Sequence, residues 1–142
     1  MVDADLVASK LAELADRIAR VRVHARPAPD DLRADRDALE LVSFNLMLAV
    51  QACADIAGHL IADEGWPPAR NLVESFQRLE QHGVLEPAVA HQMQKAVGLR
   101  NVVAHGYGHV DIDMVHAAAT DGVADLDAFA RQVSAWVRTQ LK

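Results

Sequence analysis

Between Leu39 and Leu60, the residues Leu39, Val42, Leu46, Ala49, Cys53, Ile56 and Leu60 recur at three- and four-residue steps. That spacing follows the turn of an α-helix and puts all seven side chains on one face. The same stretch is interrupted by Ser43, Asn45, Gln51, Asp55 and His59, so it reads as a core helix and not as a membrane span. A long helix with one buried face needs partners with faces of their own. Leu6 or Val7, Leu11, Leu14, Ile18 and Val21 supply the first, a helix from about Asp3 to His24. Pro27 and Pro29 break the chain between Arg26 and Asp31, and Gly65 with Pro67-Pro68 ends the long helix.

The second half follows the same logic. Asn71 is a candidate N-cap for a shorter helix to Gln81, with Leu72, Val73, Phe76 and Leu79 inward and His82-Gly83 closing it. Another helix begins near Glu86-Pro87, turns Val89, Met93, Val97 and Val102 inward, and stops at Gly106 and Gly108. A short helix after Asp111 or Asp113 and a last one from about Asp121 to Leu141 complete the chain. The expectation is an all-α, antiparallel bundle of about five or six helices, forming a single domain over residues 1–142.

Composition narrows the setting. The lone cysteine, Cys53, excludes an intrachain disulfide, and no basic-then-apolar leader precedes the first helix. A cytoplasmic protein without membrane association is expected. The formal charge of −6 argues against indiscriminate nucleic-acid binding, which needs a basic surface. The charge is uneven, however. Residues 1–64 carry seven Lys/Arg against twelve Asp/Glu, and residues 111–142 three against five. The window 65–110 carries four against three, together with His82, His91, His105 and His109. An anion is least repelled there.

Within that window Arg100, His105 and Tyr107 stand close together. His105 falls in the last turn of its helix, where the carbonyl end favours a positive imidazolium, and such a histidine can act as a general acid or base. Arg100 offers a fixed fork of donors for a phosphodiester and for the charge of its transition state. These two suffice in principle for metal-free RNA cleavage, with the substrate's own 2′-hydroxyl attacking phosphorus. Residues five apart lie about 140° round a helix, so Arg100 and His105 do not share a face, whereas Asn101 and His105 do. Either the long arginine reaches round, or a second copy of the chain completes the site.

The run Gly98-Leu99-Arg100-Asn101-Val102-Val103-Ala104-His105-Gly106-Tyr107, followed by Val110-Asp111, resembles the signature of the HepT-like branch of the HEPN superfamily. The resemblance extends to Gln51-Ala52-Cys53-Ala54-Asp55-Ile56-Ala57-Gly58-His59-Leu60-Ile61, and to Glu74-Ser75-Phe76 with Leu79 and Gly83-Val84-Leu85. It covers nearly the whole chain. It implies a homodimeric helical toxin that cleaves RNA without a metal or other cofactor, with Arg100 and His105 as its catalytic pair. It also implies a minimal nucleotidyltransferase antitoxin that adenylylates Tyr107, setting a bulky anion beside Arg100 in opposition to RNA. One departure is Leu72, where the family often has an aromatic residue.

Other residues carry two readings. Asp55 and His59, four apart, can meet on one face: either Asp55 orients a catalytic side chain, or both line a dimer cleft in support of the site, or they form a plain polar pair inside a helical interface, and two ligands are too few for a metal. Arg17, Arg20, Arg22 and Arg26 either guide RNA or complement the carbonyl end of the first helix, the second reading being preferred. Trp66 and Trp136 read as packing residues, and His24, His82, His91, His109 and His116 receive no role. No phosphate-cradling glycine loop is present, so the chain itself is not expected to use ATP. Two rival functions remain: a catalytically silent HEPN subunit that presents substrate to a nucleotidyltransferase, and a purely structural dimerisation bundle.

Overall fold

A computed structural model describes residues 2–105 and 111–141, without the side chains of Val102, Ala104 and His105. Its described residues form α1 (Ala4–His24), α2 (Pro29–Ala34), α3 (Arg36–Asp63), α4 (Leu72–Gln81), α5 (Pro87–His105), α6 (Ile112–Ala117) and α7 (Val123–Gln140). The all-α architecture is the one expected. The chain breaks where the prolines predict, but Pro29 then starts a helix, because proline is tolerated at the first helical position. The Asp31 carboxylate accepts the Ala28 N–H at 3.1 Å, and the single turn that follows buries Leu32 completely.

Each main boundary has a local cause. Asp3 accepts from Leu6 N, Asp35 from Ala38 N, Asn71 from Glu74 N and Asp111 from Met114 N, satisfying donors that a helix start leaves open. Gly65 and Gly83 take φ of 68° and 75°, the left-handed conformation that lets α3 and α4 stop. Between α6 and α7 the chain does not break as expected. A π-turn, Ala118–Gly122, joins them, and the Thr120 hydroxyl donates to the His116 and Ala117 carbonyls, a back-bond that loosens the local ladder.

The 28 residues of α3 span about 42 Å at 1.5 Å per residue. By length and composition α3 could cross a membrane, but most of its apolar stretch is buried inside the bundle. Its most extensive packing is with α1. Polar contacts fix that pair as antiparallel: Asp3 N with Asp63 Oδ2 (3.2 Å), Lys10 with Asp55 (3.7 Å), Arg17 with Asn45 Oδ1 (3.1 Å) and Arg26 with Asp35 (3.2 Å). The core adds Leu14, Ile18 and Val21 of α1, Phe76 and Leu79 of α4, Met93 and Val103 of α5, and Phe129 and Val133 of α7. Phe76 and Phe129 meet edge to face with centroids 5.8 Å apart. Trp66 stacks on His82 at 4.1 Å and meets Trp136 edge-on, so both tryptophans are packing residues.

A largely apolar cavity of about 370 Å³ lies among α3, α5, α6, the π-turn and the start of α7, lined by residues that include Leu46, Val50, Met93, Leu99, Asp121 and Asp125. Burial pushes the Asp125 carboxyl above its usual range, Asp121 adds to the rise, and Lys95 opposes it.

Two consequences can be measured. Phe76→Ala removes a fully buried ring and should lower the unfolding free energy by about 3–5 kcal/mol in denaturant titration. For Asp125 the folded pKa lies above the unfolded one, so ionisation penalises the fold as pH rises through that interval. Asp125→Asn should therefore melt at a higher temperature than the unsubstituted chain at neutral pH. That advantage should disappear below the ordinary carboxylate pKa of about 3.9.

Candidate active site

The Arg100 side chain springs from the last turns of α5, one residue after the buried Leu99, and is itself half-buried. Its position is held from two sides. Nη1 donates to Asn101 Oδ1 at 3.1 Å, and Nη2 donates across to Gln51 Oε1 of α3 at 3.0 Å. The Gln51 amide continues the chain of contacts, its Nε2 donating to Asp55 Oδ1 at 3.1 Å. Asp55 Oδ2 lies 3.7 Å from Lys10 Nζ of α1, and that ammonium lies 3.4 Å from Glu13 Oε2. One polar chain thus runs from Arg100 on α5, across α3, to α1.

The acceptors around Arg100 differ from those around most other arginines. Arg22 faces Asp127, Arg26 faces Asp35, Arg33 faces Asp30, Arg36 faces Glu40, and Arg70 and Arg78 share Glu74. The paired guanidiniums hold the Glu74 carboxyl below its usual range, Arg70 through its hydrogen bond most of all. Among the described residues, Arg100 donates to two amide oxygens, which orient a guanidinium without cancelling its charge. Arg17 also meets an amide, that of Asn45, but Asn45 is 97% buried in the α1–α3 interface, with its own Nδ2 on the Leu41 carbonyl at 2.8 Å.

The sequence-predicted residues are therefore distributed as follows. Arg100, Asn101 and Asp55 belong to one hydrogen-bonded assembly, Asp55 through Gln51. His59, expected to meet Asp55, sits one turn further along α3 and is half-buried, while the described partners of Asp55 are Gln51 and Lys10. Helical spacing allows Asp55 a partner at either i−4 or i+4, and the adjacent helices select the former. The backbone of His105 closes α5, but its side chain and Tyr107 lie outside the described residues. Arg26 does complement the carbonyl end of α1, donating to the His24 carbonyl at 2.8 Å, whereas Arg17 and Arg22 are taken up by Asn45 and Asp127. Gln51 and Lys10 were not singled out by sequence reasoning. For Gln51 the available signal was its place four residues before Asp55, on the same helical face.

Cys53, fully buried with its thiol pushed up by desolvation, is not activated as a nucleophile.

Comparison with known proteins places this geometry in a family. The family model described as "Ribonuclease HepT-like" matches residues 11–133. The chain is 24% identical to the mRNA nuclease HepT of Shewanella oneidensis over 131 residues, which cover 92% of this chain and 98% of that one. It is 28% identical over 94 residues to the tRNA nuclease HepT of Aphanizomenon flos-aquae, covering 66% of this chain and 64% of that one. Among solved structures, the tri-AMPylated HEPN toxin of Shewanella oneidensis, in complex with its MNT antitoxin, superposes with a TM-score of 0.85 at 24% identity. That match covers 95% of this chain and 99% of the other. The span of the family match and the shared α-helical fold lead to one conclusion: the chain belongs to the HepT-like ribonuclease family.

Proposed function

We propose that this protein is the toxin of a toxin–antitoxin pair, a metal-independent endoribonuclease whose catalytic pair is Arg100 and His105. The observation that carries the reading is the state of Arg100: half-buried, held by two neutral amide oxygens, and retaining its charge for an anion. In this reading cleavage is an internal transfer. The 2′-hydroxyl of the RNA attacks the adjacent phosphorus, the bond to the 5′-oxygen breaks, and a 2′,3′-cyclic phosphate and a 5′-hydroxyl result. His105 serves as the acid–base group for these oxygens, and Arg100 binds the charge that develops on the phosphoryl oxygens. Asn101 and Asp55 support the arginine, and His59 lines the same face of α3 as Asp55.

The active unit in this reading is a homodimer. Residues five apart lie about 140° round an ideal helix, and a second copy of the chain would complete the site that Arg100 begins. On α3 the exposed Leu41 and Phe44 lead, at helical spacing through half-buried Leu48, to Gln51 and Asp55. An apolar strip that ends on the site fits burial against a second copy of the chain. Control comes from a minimal nucleotidyltransferase antitoxin that adenylylates Tyr107. The adenylylated relative in complex with its antitoxin supports this assignment. An AMP group beside Arg100 would occupy the anion site and repel RNA. A cytoplasmic location accords with the free, buried Cys53.

His105→Ala and Arg100→Ala should each slow cleavage of cellular RNA by at least about 10²-fold, the usual scale for loss of an acid–base or charge-stabilising group, with unchanged helical circular dichroism. The reading fails if the purified protein cleaves no RNA and both variants inhibit growth as strongly as the unsubstituted chain. Co-expression with an adjacent minimal nucleotidyltransferase should add whole AMP units to the intact mass, and Tyr107→Phe should abolish the addition.

A further inference from the structure

We infer that Gln51 is the positioning residue for Arg100, and that Asp55 acts on the site through Gln51, by fixing which end of its amide faces the arginine. The inference rests on the ribonuclease reading of Arg100, and its geometric half can be tested apart from it. A glutamine amide has an acceptor end and a donor end, and either could face α5. Asp55 removes the ambiguity. Its Oδ1 takes the Nε2 donor at 3.1 Å, so Oε1 is left for Arg100 Nη2 at 3.0 Å. Lys10, 3.7 Å from Asp55 Oδ2, keeps that carboxylate on the α1 side of α3. Reversing the amide would set its NH₂ group against the guanidinium and its oxygen against the carboxylate, two repulsive contacts in place of two hydrogen bonds.

The chemical type of residue 51 also matters. A carboxylate there would hold the guanidinium as firmly but neutralise it, and would repel a phosphodiester. An aliphatic side chain would leave the charge and lose the placement. The amide supplies placement while the charge stays available. The formal carboxylate sits one side chain further back, where it polarises the amide without touching the arginine.

The test is a set of four single variants and one double variant assayed on an RNA oligonucleotide, together with Arg100→Ala as the reference for loss of the site. Gln51→Leu should lower kcat by about 10–100-fold, the cost of a misplaced group, with KM nearly unchanged. Gln51→Glu should instead raise KM. Asp55→Leu should lower kcat nearly as far as Gln51→Leu, while Asp55→Asn, whose Oδ1 still accepts from Nε2, should keep most of the activity. The decisive measurement is the double variant Gln51→Leu/Asp55→Leu, expected to be no slower than Gln51→Leu alone. An equal further loss from Asp55→Leu in both backgrounds overturns the inference, as does full kcat in Gln51→Leu. Where leucine disturbs folding, seen as a lost melting transition, Gln51→Asn withdraws the amide by one methylene and should give the same fall in kcat. Side-chain ¹⁵N NMR supplies a readout independent of cleavage: the Arg100 Nη resonances should be separate in the unsubstituted chain and averaged in Gln51→Leu. If the chain cleaves no RNA yet these resonances behave as expected, the ribonuclease reading fails and the positioning stands. Averaged resonances in the unsubstituted chain refute the positioning itself.

Discussion

The antiparallel pairing of α1 with α3 is the contact on which the rest of the bundle depends. α3 is too apolar to stand alone, with residues such as Leu46, Ile56 and Leu60 buried almost completely, each worth about 1.5–3 kcal/mol when removed from water. α1 covers it along its length and brings polar pairs to successive levels, from Asp3 against Asp63 to Arg26 against Asp35. Apolar contact supplies most of the energy, whereas these pairs set the register. A shift of one helical turn would bury the Asn45 Oδ1 without the Arg17 guanidinium, and a buried acceptor left without a donor costs about 1–3 kcal/mol. The same register sets Lys10 opposite Asp55, so the alignment of the first two long helices also determines one end of the candidate site.

With α1, α4, α5 and α7 packed around it, α3 leaves a strip of surface accessible among the described residues. That strip runs through Leu41, Phe44, Leu48, Gln51 and Asp55, apolar at its start and polar where α5 crosses. Arg100 reaches this polar end because Leu99 and Val103, on either side of it in sequence, are anchored in the core. The arginine is therefore presented by a rigid helix and steadied by a neighbouring one, an arrangement that fixes a functional group better than a loop does.

Much of this is legible in the sequence, for reasons that differ from element to element. The long helices follow from apolar residues at three- and four-residue steps, and their ends from Asp3, Asn71, Gly65 and Gly83, all local signals. α2 escapes because Pro29 marks both a break and a start, and only the burial of Leu32 distinguishes the two. The π-turn escapes because one extra residue in a helical turn leaves the surrounding pattern intact. At the site, Arg100 and His105 are visible through their chemistry and their place near a helix end. Gln51 is not: glutamine is common on solvated helix faces, and its partner lies 49 residues away in sequence. Asp55 and His59 form an allowed pair by spacing, yet spacing cannot choose between partners at i−4 and i+4. Tertiary packing chooses, by placing Arg100 against Gln51.

The remaining question is how a chain of net charge −6 can engage a polyanion at all. A broadly basic surface is one solution, suited to sequence-independent binding with strong salt dependence. This protein follows another course. Most of its described arginines spend their charge on internal carboxylates, as Arg22, Arg26, Arg70 and Arg78 do. Their fields are largely cancelled within a few ångströms, and the surrounding acidic surface disfavours stray contact with phosphate. Among the described residues Arg100 escapes that cancellation, because the acceptors it meets are the amide oxygens of Gln51 and Asn101 and not carboxylates. In a half-buried setting, where screening by water is weaker than at the open surface, an uncancelled guanidinium exerts a correspondingly stronger local field. In the proposed ribonuclease, that local field would favour a phosphodiester at Arg100 on a chain whose net charge is −6.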